Sequence, residues 1–530
     1  METIKEMVIL GGCIALVLAV YSASISSYFV VRELSLIYLS IPETWKKVHQ
    51  IFTERGLESL YYRPILKLTY WMEYSLFNLN PIGYHVTSLF FHILNTILVF
   101  YLANILTKDM NVSYIAALVF AVHPLHTDTI TRTANSNNLT FTFFYLLAVI
   151  SFIKYSTLGE TIGVYLAIAI FAFILSLLAK ETAITLPVVL FLYEFVFYLG
   201  KIHDYYLISP YLNKYIPFLL ILFIYFILRA FVLGGGAPLR GIGLGTPFKV
   251  SYHFLQLFAP INIRTFNFRN MPQLILNIIV LFNFLLIIIL LVMGKEFEIP
   301  KDIIIYCSLW VLITCFPVYL TALLVYPPFR LLYISSVGSS ILLGLFIMKG
   351  YHNLGEYNTG WAKIVLILLM VSLLSSWSVS AIQRTRIHKQ VGDIAKNIVL
   401  QFKKMYPEFP EGSNLYLINF PGYWLSDGEI PLRAISDYRG ALQLVYHDKS
   451  LNIYQDWNPL KEIGEIRPIS NYRSTQQQPE QEKKLTKYDE NLQFLQSNSF
   501  YENIEKKKRN FVFEYQNGVI VETTKLYMKK

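Results

Sequence analysis

The strongest constraint on this chain is a series of uninterrupted apolar runs that recur up to about Ala381 and then stop. Most runs are about 18 to 22 residues long, enough for a helix to cross a hydrocarbon layer about 30 Å thick. We therefore predict a multi-pass, all-α membrane domain with about eleven spans. The predicted spans are 7–26, 84–106, 112–123, 137–153, 162–179, 182–199, 215–233, 272–293, 303–325, 331–348 and 362–382.

Composition excludes the other broad classes of protein. Only 15% of the 530 residues are charged and 55% are hydrophobic, whereas soluble proteins average about 25% charged residues. Three cysteines in so long a chain exclude a disulfide-stapled secreted fold. The net charge of +10 is spread over both predicted membrane faces, so we expect no nucleic-acid partner.

The chain divides near residue 384 into two predicted domains. Residues 1–384 form the membrane domain, which includes a long outer loop at 27–83, and residues 385–530 form a soluble α+β domain. Within the tail, the patterns predict a helix at Val391–Met405, strands at Asn414–Asn419 and around Ala441–Tyr446, a solvated linker at 473–487, and a hairpin whose strands Asn510–Tyr515 and Val519–Thr524 flank Gln516-Asn517-Gly518.

The outer loop carries apolar residues at helical spacing. Leu66–Phe77 is predicted to form a helix that lies along the membrane surface. The acidic residues of this loop are expected on the solvated faces of such helices; they are Glu43, Glu54, Glu58 and Glu73.

Basic residues favour one orientation of the chain. With a cytoplasmic N-terminus, the inner loops carry Lys108, Lys154, Lys201, Lys214, Lys295, Lys301, Lys349 and Lys363. The outer loops instead carry Arg32, Arg55, Arg63, Arg132, Arg240, Arg264, Arg269 and Arg330. An odd number of spans then places the tail outside, in a protein of the plasma (cytoplasmic) membrane. Arginine presents a planar fork of donors that suits phosphate or carboxylate, so the outer face is predicted to bind an anion.

Several polar groups fall at the predicted outer ends of spans, where hydropathy alone does not place them. They are Arg32-Glu33, Tyr62-Arg63, the segment from His123 to Asp128, Lys180-Glu181, and Arg330 with Tyr333. Charged groups this close to hydrocarbon usually mark a site. The alternative for each is structural: an ion pair, a snorkelling lysine, a helix cap or a contact with a lipid phosphate.

The same segments carry a resemblance to a known family. They read Tyr62-Arg63-Pro64-Ile65, Pro81-Ile82-Gly83-Tyr84-His85, Phe120-Ala121-Val122-His123-Pro124-Leu125-His126-Thr127-Asp128, Leu178-Ala179-Lys180-Glu181-Thr182-Ala183-Ile184-Thr185 and Arg330-Leu331-Leu332-Tyr333-Ile334-Ser335-Ser336-Val337-Gly338. In this order the series resembles the membrane region of the tetratricopeptide-containing O-mannosyltransferases, which belong to the GT-C superfamily. The resemblance covers roughly residues 8–350, and no tetratricopeptide repeats follow.

The resemblance implies a GT-C-like fold and a glycosyltransferase that acts on the outer membrane face. Its donor would be a sugar on a polyprenyl phosphate, and its acceptor an extracytoplasmic protein, glycan or lipid, with transfer in one inverting step. It implies Glu33 and Asp128 as candidate catalytic carboxylates, and Arg63, Lys180 and Arg330 as ligands of the donor phosphate. The residues implied to line the site are Tyr62, His123, His126, Glu181 and Tyr333. A metal-independent site is favoured by analogy, with a divalent metal left open.

One departure from the family pattern keeps alternatives open. The family places an acidic pair early in the first outer loop, and the first position of that pair here is Arg32. A degenerate member that binds lipid-linked sugar without transferring it is therefore one alternative. A transporter or flippase of lipid-linked saccharide is another, although we find no internal repeat. A structural subunit whose outer tail docks a partner is the third.

Overall fold

The computed structural model describes eleven stretches of the chain. They are residues 2–42, 48–53, 61–158, 163–198, 213–234, 255–260, 300–321, 329–356, 360–420, 435–455 and 510–524 apart from 517, with a few single positions between 275 and 281. By their internal contacts these residues divide into two compact units. The first comprises Met1–Ser26 and Ser40–Arg386, and the second comprises Ser27–Leu39 and Ile387–Lys530.

The described part of the first unit is helical. Its helices are α1 (Glu2–Ile25), α3 (Gln50–Thr53), α4 (Pro64–Phe77), α5 (Pro81–Thr107), α6 (Met110–Val122), α7 (Thr127–Thr131), α8 (Ser136–Leu158), α9 (Gly163–Ala179), α10 (Leu186–Phe197), α11 (Ile216–Leu233), α12 (Lys301–Thr321), α13 (Ser335–Glu356) and the first part of α14 (Gly360–Met405); α2 (Glu33–Ser40) lies in the second unit except for its last residue. Short 3₁₀ turns at Pro124–His126, Thr133–Asn135, Glu181–Thr185 and Phe329–Leu332 connect several of them.

Local sequence signals set where these helices begin and end. The side chain of Asn80 accepts a hydrogen bond from the Ile82 amide and so caps the start of α5, with Pro81 in the first turn. Asp109 caps α6 in the same way through the amides of Asn111 and Val112. Between them Lys108 ends α5 in the left-handed conformation. Consecutive helices therefore run back and forth across the bundle.

Small residues let α13 pack closely against its neighbours. A Cβ added at Gly344 would lie 2.7 Å from the Val112 carbonyl oxygen of α6, and one added at Gly338 would lie 2.8 Å from the Cys307 carbonyl oxygen of α12. Helices in membranes associate through this kind of small-residue contact, because lipid tails provide no hydrophobic driving force. The aromatic side chains of Tyr145, Trp310 and Trp377 fill the remaining core.

The described helices support the multi-pass prediction in its coarse form. Five are long and apolar enough to cross a membrane: Glu6–Ile25, Pro81–Thr107, Thr133–Leu158, Ile216–Leu233 and Lys363–Met405. Shorter apolar helices occupy Met110–Val122 and Gly163–Ala179. The predicted span 272–293 and the predicted linker 473–487 lie outside the described residues, and the total of eleven stays a prediction.

The second unit contains a four-stranded mixed sheet. Its strands are β1 (Asn414–Ile418), β2 (Asn452–Gln455), β3 (Asn510–Gln516) and β4 (Val519–Glu522), in the order β2-β1-β3-β4. β1 is parallel to β2 and to β3, whereas β3 and β4 form the predicted antiparallel hairpin. Helix α15 (Tyr438–Tyr446) lies between β1 and β2 in the chain.

Two sequence predictions are wrong, and two segments that are correctly predicted as helical prove to be continuous. Residues 441–446 belong to helix α15 and not to a strand; the side chain of Asp437 caps this helix, and most of its residues are buried. The predicted span 362–382 and the predicted helix Val391–Met405 are parts of one continuous helix, α14. Glu73 is not solvated: it faces inward from α4 and is only 4% exposed.

Candidate active site

The predicted polar segments of the first unit lie at breaks between its helices. Arg63 precedes α4, Asp128 opens the one-turn helix α7, Lys180 and Glu181 separate α9 from α10, and Arg330 is in the 3₁₀ turn before α13. Helix ends leave backbone groups without helical partners, and turns present side chains in directions that a continuous helix does not. The breaks in the bundle therefore position the charged groups.

Arg63 and Glu181 form a two-point ion pair. Arg63 donates from Nε to Glu181 Oε2 over 2.9 Å and from Nη2 to Oε1 over 2.6 Å. The two side chains are 21% and 24% exposed, so the pair remains accessible from one side. Burial alone would raise the pKa of Glu181, but the charge and hydrogen bonds of Arg63 outweigh it and lower that pKa to about 2.

Asp128 lies between two arginines from different segments. Arg132 donates to Asp128 Oδ1 over 3.2 Å, and Arg330 donates to Oδ2 over 3.3 Å. Asn135 adds bonds to the Asp128 carbonyl oxygen over 2.8 Å and to Oδ2 over 3.3 Å. The carboxylate is 14% exposed and Arg330 is 30% exposed, so the arginine is the more accessible partner.

Lys180 is the buried cation of the group. Its side chain is 3% exposed, and its ammonium donates to Oδ1 of Asn138 and lies 5.4 Å from the centre of the Phe141 ring. Burial lowers the pKa of Lys180 to about 7; Glu181 opposes this effect, while Arg63 and Arg330 add to it. Lys180 is thus within electrostatic range of both arginines and of Glu181.

These contacts join the predicted phosphate ligands into one group, the cation cluster of Arg63, Arg132, Lys180 and Arg330. The burial of Arg330 lowers its pKa, Asp128 opposes that effect, and Arg132 and Arg63 add to it. With Lys180 protonated, the four cations of the cluster carry two more charges than the two carboxylates to which the structure bonds them among the described residues, Asp128 and Glu181. An anion with several acceptor oxygens, such as a phosphate, would complete this arrangement.

Three of the residues predicted to line the site are buried. His123 and His126 have no exposed surface, and Tyr333 is 1% exposed. His123 Nδ1 accepts from the Leu125 amide over 3.3 Å, and His126 Nε2 lies 2.8 Å from Ser336 Oγ. These contacts hold the turn that carries Asp128 against α13. The histidines therefore act on the charged groups through the position of that turn.

Tyr62 is also buried and supports its neighbour. Its hydroxyl donates to the Phe52 carbonyl oxygen over 3.1 Å, and its ring lies 6.1 Å from that of Tyr225 in α11. On the other side of Arg63, the guanidinium carbon lies 4.1 Å from the centre of the Tyr61 ring. These aromatic contacts fix the peptide from which Arg63 extends.

Glu33 belongs to the second compact unit and not to the unit that contains the cation cluster. It is 1% exposed, and its Oε2 accepts from the Val30 amide over 2.7 Å at the start of α2. The preceding Val31 has a φ of +59°, which is strained for a β-branched residue, and its carbonyl oxygen accepts from the Ser436 amide over 2.8 Å. The carboxylate of Glu33 thus helps to hold a strained turn.

Sequence reasoning missed the residues that connect the cluster. The sequence presents Arg132 only as one of several outer arginines, and no pattern distinguishes Asn135 or Asn138. One signal was present, since Asp128 and Arg132 are spaced i, i+4 on a helical segment. The pairing of Lys180 with Asn138 had no such signal, because 42 residues separate them. Among the described residues, no group of three or more His, Cys, Asp or Glu side chains is arranged to hold a metal ion.

Comparison with solved structures identifies the fold. The chain superposes on the crystal structure of apo ArnT from Cupriavidus metallidurans with a TM-score of 0.52, and the match covers 86% of each chain at 11% sequence identity. The chain therefore has the GT-C fold. At this level of identity the likeness concerns the GT-C fold alone.

Sequence comparison adds a partial similarity. The chain is 31% identical over 134 residues to the protein O-mannosyl-transferase TMTC3 of Homo sapiens, and 30% identical over 203 residues to TMTC2 of the same organism. These matches cover 25% and 36% of this chain, but only 14% and 24% of the two relatives. No family model matches the sequence.

Proposed function

We propose that this protein transfers a sugar from a polyprenyl-phosphate donor to an acceptor hydroxyl on the extracytoplasmic face of the plasma membrane. The observation that carries the proposal is the cation cluster, whose charges exceed those of its carboxylate partners at one end of a GT-C bundle. The partial similarity to proteins named O-mannosyl-transferases supports transfer to a hydroxyl and favours mannose as the sugar.

In the proposed reaction, the cluster binds the phosphate that links lipid to sugar. The acceptor oxygen forms a bond to the anomeric carbon while the bond from that carbon to the phosphate oxygen breaks. The electron pair leaves with the lipid phosphate, and the acceptor proton passes to a carboxylate. Arg63, Lys180 and Arg330 stabilise the negative charge that develops on the leaving phosphate. The anomeric configuration is inverted because the transfer is one displacement.

Asp128 is the proposed base. It is in the same group of charges as the phosphate ligands, whereas Glu33 already accepts a backbone hydrogen bond in the second unit. Its two arginine partners place the base next to the leaving-group site, so the acceptor hydroxyl and the phosphate would approach the same few side chains. Arg330, which contacts Asp128, is the partner that would couple proton removal to phosphate departure.

The test of this assignment compares two isosteric variants in reconstituted vesicles supplied with a polyprenyl-phosphate mannose donor. Asp128→Asn should lower kcat by about 10²- to 10⁴-fold, the usual contribution of a general base, and leave donor affinity within about threefold. Glu33→Gln should retain most activity. If Glu33→Gln abolishes transfer and Asp128→Asn does not, the base is Glu33 and our assignment is wrong.

One observation favours a second function. The chain has Arg32 where the related family carries the first residue of an acidic pair, and the Glu33 carboxylate is engaged by the Val30 amide. A protein that binds the lipid-linked sugar without cleaving it would fit these facts. The two functions differ in one readout, since only the transferase releases free polyprenyl phosphate.

A further inference from the structure

Helix α11 carries one charged residue in an otherwise apolar sequence, Arg229. The helix is among the most apolar in the protein, and several of its large side chains are exposed on the outside of the bundle, including Phe223 at 64% and Phe231 at 81%. An arginine in such a segment is costly in free energy unless it binds an anion or reaches the membrane surface. The proposed reaction does not use this residue.

Arg229 lies at the edge of the protein-facing stripe of α11. The buried residues Phe218, Tyr225 and Val232 recur every seven positions and define that stripe. At 100° per residue, Arg229 is rotated by about 40° from Tyr225 and lies about 6 Å farther along the helix axis. Its side chain is accordingly half-buried, between the bundle on one side and exposed apolar residues on the other.

On its protein-facing side, Arg229 is connected to the cation cluster through Tyr225. The hydroxyl of Tyr225 is within electrostatic range of Arg229, Arg63 and Glu181. The Tyr225 ring also contacts the ring of Tyr62, the residue before Arg63. Arg229 and Arg63 thus lie near the same tyrosine, one on the exposed outer surface of the bundle and the other in the candidate active site.

Arg229 has no carboxylate partner among the described residues. The arginines and lysine of the cluster are bonded to carboxylate or amide oxygens: Arg63 to Glu181, Arg132 and Arg330 to Asp128, and Lys180 to Asn138. Those cations are held in the protein before any ligand arrives. Arg229 instead faces the neutral hydroxyl of Tyr225, which leaves its charge uncompensated there. Arg229, which has no carboxylate partner among the described residues, can bind an anion that approaches from the bilayer.

We propose that Arg229 is a separate binding position for the phosphate of a long-chain isoprenoid, at which the lipid is held as it passes between the bilayer and the cation cluster. The proposal rests on the proposed function for the identity of the lipid. An isoprenoid phosphate has its charge at one end of a chain that remains in hydrocarbon, which suits a guanidinium half-buried beside exposed phenylalanines. The fork of Arg229 would bind two phosphate oxygens.

The experiment measures equilibrium binding of a C55 polyprenyl monophosphate to the full chain in phosphatidylcholine nanodiscs. The titration should resolve two bound phosphates, one in the cation cluster and one outside it, and Arg229→Gln should weaken binding of the second about tenfold or more, which corresponds to about 1.4 kcal/mol. Arg229→Lys should recover part of the loss, since it keeps the charge but not the fork. Lys154→Gln is the matched control: this exposed lysine is near the end of α8, on the far side of the bundle from the cluster, and should bind like wild type. Equal thermal unfolding midpoints establish that the variants are folded.

Two results would overturn the proposal. One is equal affinity of wild type and Arg229→Gln for the C55 phosphate. The other is loss of their difference when phosphatidylglycerol replaces part of the phosphatidylcholine, because the site would then bind an ordinary phospholipid phosphate. This binding assay does not depend on turnover. If wild type binds the C55 phosphate but transfers no sugar, the proposed function is wrong and this inference still holds. If wild type transfers sugar and the Arg229→Gln variant binds the C55 phosphate normally, this inference is wrong and the proposed function still holds.

Discussion

At the scale of single residues, the chemistry of the site depends on how each cation is held. Arg63 is bonded at two points to Glu181, Arg330 is bonded to Asp128 and is 30% exposed, and Lys180 is buried against Asn138. The sequence predicts Arg63, Lys180 and Arg330 as ligands of one phosphate, and in the structure these side chains lie within electrostatic range of one another. It could not identify Asn138, because a neutral amide in a helix has no pattern that distinguishes it from its neighbours.

The geometry of Arg63 leads to the first prediction. Arg63→Gln should weaken binding of a polyprenyl-phosphate mannose donor by roughly 10- to 100-fold, because a hydrogen bond to a charged group contributes about 1.5–3 kcal/mol. The donor affinity of Arg63→Lys should lie between those of wild type and Arg63→Gln. An ammonium keeps the charge, but it cannot bond to Glu181 at two points and also reach a phosphate. A donor titration in nanodiscs checks this order. An Arg63→Lys variant as weak as Arg63→Gln would show that geometry matters and charge does not.

The pKa of Lys180 leads to the second prediction. Because burial lowers that pKa to about 7, Lys180 is charged below pH 7 and becomes neutral above it, while Glu181, with a pKa of about 2, stays ionised throughout. The donor phosphodiester keeps its charge over this range. Donor affinity should therefore fall as the pH rises from 6 to 8.5.

Lys180→Arg provides the control for this effect, since arginine stays charged. The variant should bind donor with an affinity that is nearly constant over the same pH range. A wild type whose affinity does not change between pH 6 and 8.5 would contradict the assignment of Lys180 as a phosphate ligand with a lowered pKa.

At the scale of helices and strands, prediction succeeded where the signal was local. Apolar length located α1, α5, α8 and α11, and the residues around Gly518 predicted the β3–β4 hairpin. It failed where tertiary packing decides the outcome. Residues 441–446 end in Val445 and Tyr446, which favour strands, but Asp437 caps a helix there and most of its residues are buried. The position of Glu73 in the sequence predicts a solvated side chain, but in α4 this side chain is buried and faces α5.

The burial of Glu73 leads to the third prediction. Burial raises its pKa to about 8, and a hydrogen bond from Thr87 opposes this only in part. The folded state therefore holds a proton that the unfolded chain loses above about pH 4.5. This contribution to stability is complete below pH 4.5 and is lost as the pH rises through 8. Wild type should thus lose thermal stability between pH 5 and pH 8.5.

Glu73→Gln removes the titrating group and keeps its shape. Its unfolding midpoint should exceed that of wild type at pH 8.5 by more than it does at pH 5. Midpoints are measured by differential scanning fluorimetry in the same detergent at both values of pH. The same difference between the two proteins at pH 5 and pH 8.5 would mean that Glu73 is ionised in the folded state.

At the scale of the whole molecule, the chain combines a GT-C membrane fold with a small mixed sheet. The residues just after the first helix, Ser27–Leu39, form one compact unit with residues Ile387–Lys530 of the tail. Sequence pattern could not reveal this association, because the backbone bond between Ser436 and Val31 joins positions about 400 residues apart. The side of the membrane on which the tail lies remains a prediction from the count of spans.

Cysteine labelling tests that topology, the fourth prediction. The native cysteines Cys13, Cys307 and Cys315 are buried, so labelling of an introduced cysteine can be measured above a low background. Ser450→Cys in the tail should react with a membrane-impermeant maleimide in right-side-out vesicles. Lys154→Cys should react only in inverted vesicles. The reverse pattern would place the tail in the cytoplasm and with it refute the proposed site of action.

The central claim is that the charges gathered at one end of the bundle bind the phosphate of a lipid-linked sugar. The most direct measurement is the affinity of the full chain for polyprenyl-phosphate mannose, compared between neutralised cations at the two ends. Arg63→Gln, Lys180→Gln and Arg330→Gln should each weaken binding about tenfold or more, whereas Lys108→Gln, Lys154→Gln and Lys301→Gln should bind like wild type. Equal losses of donor affinity for the substitutions at both ends, or no loss at either end, would contradict the claim.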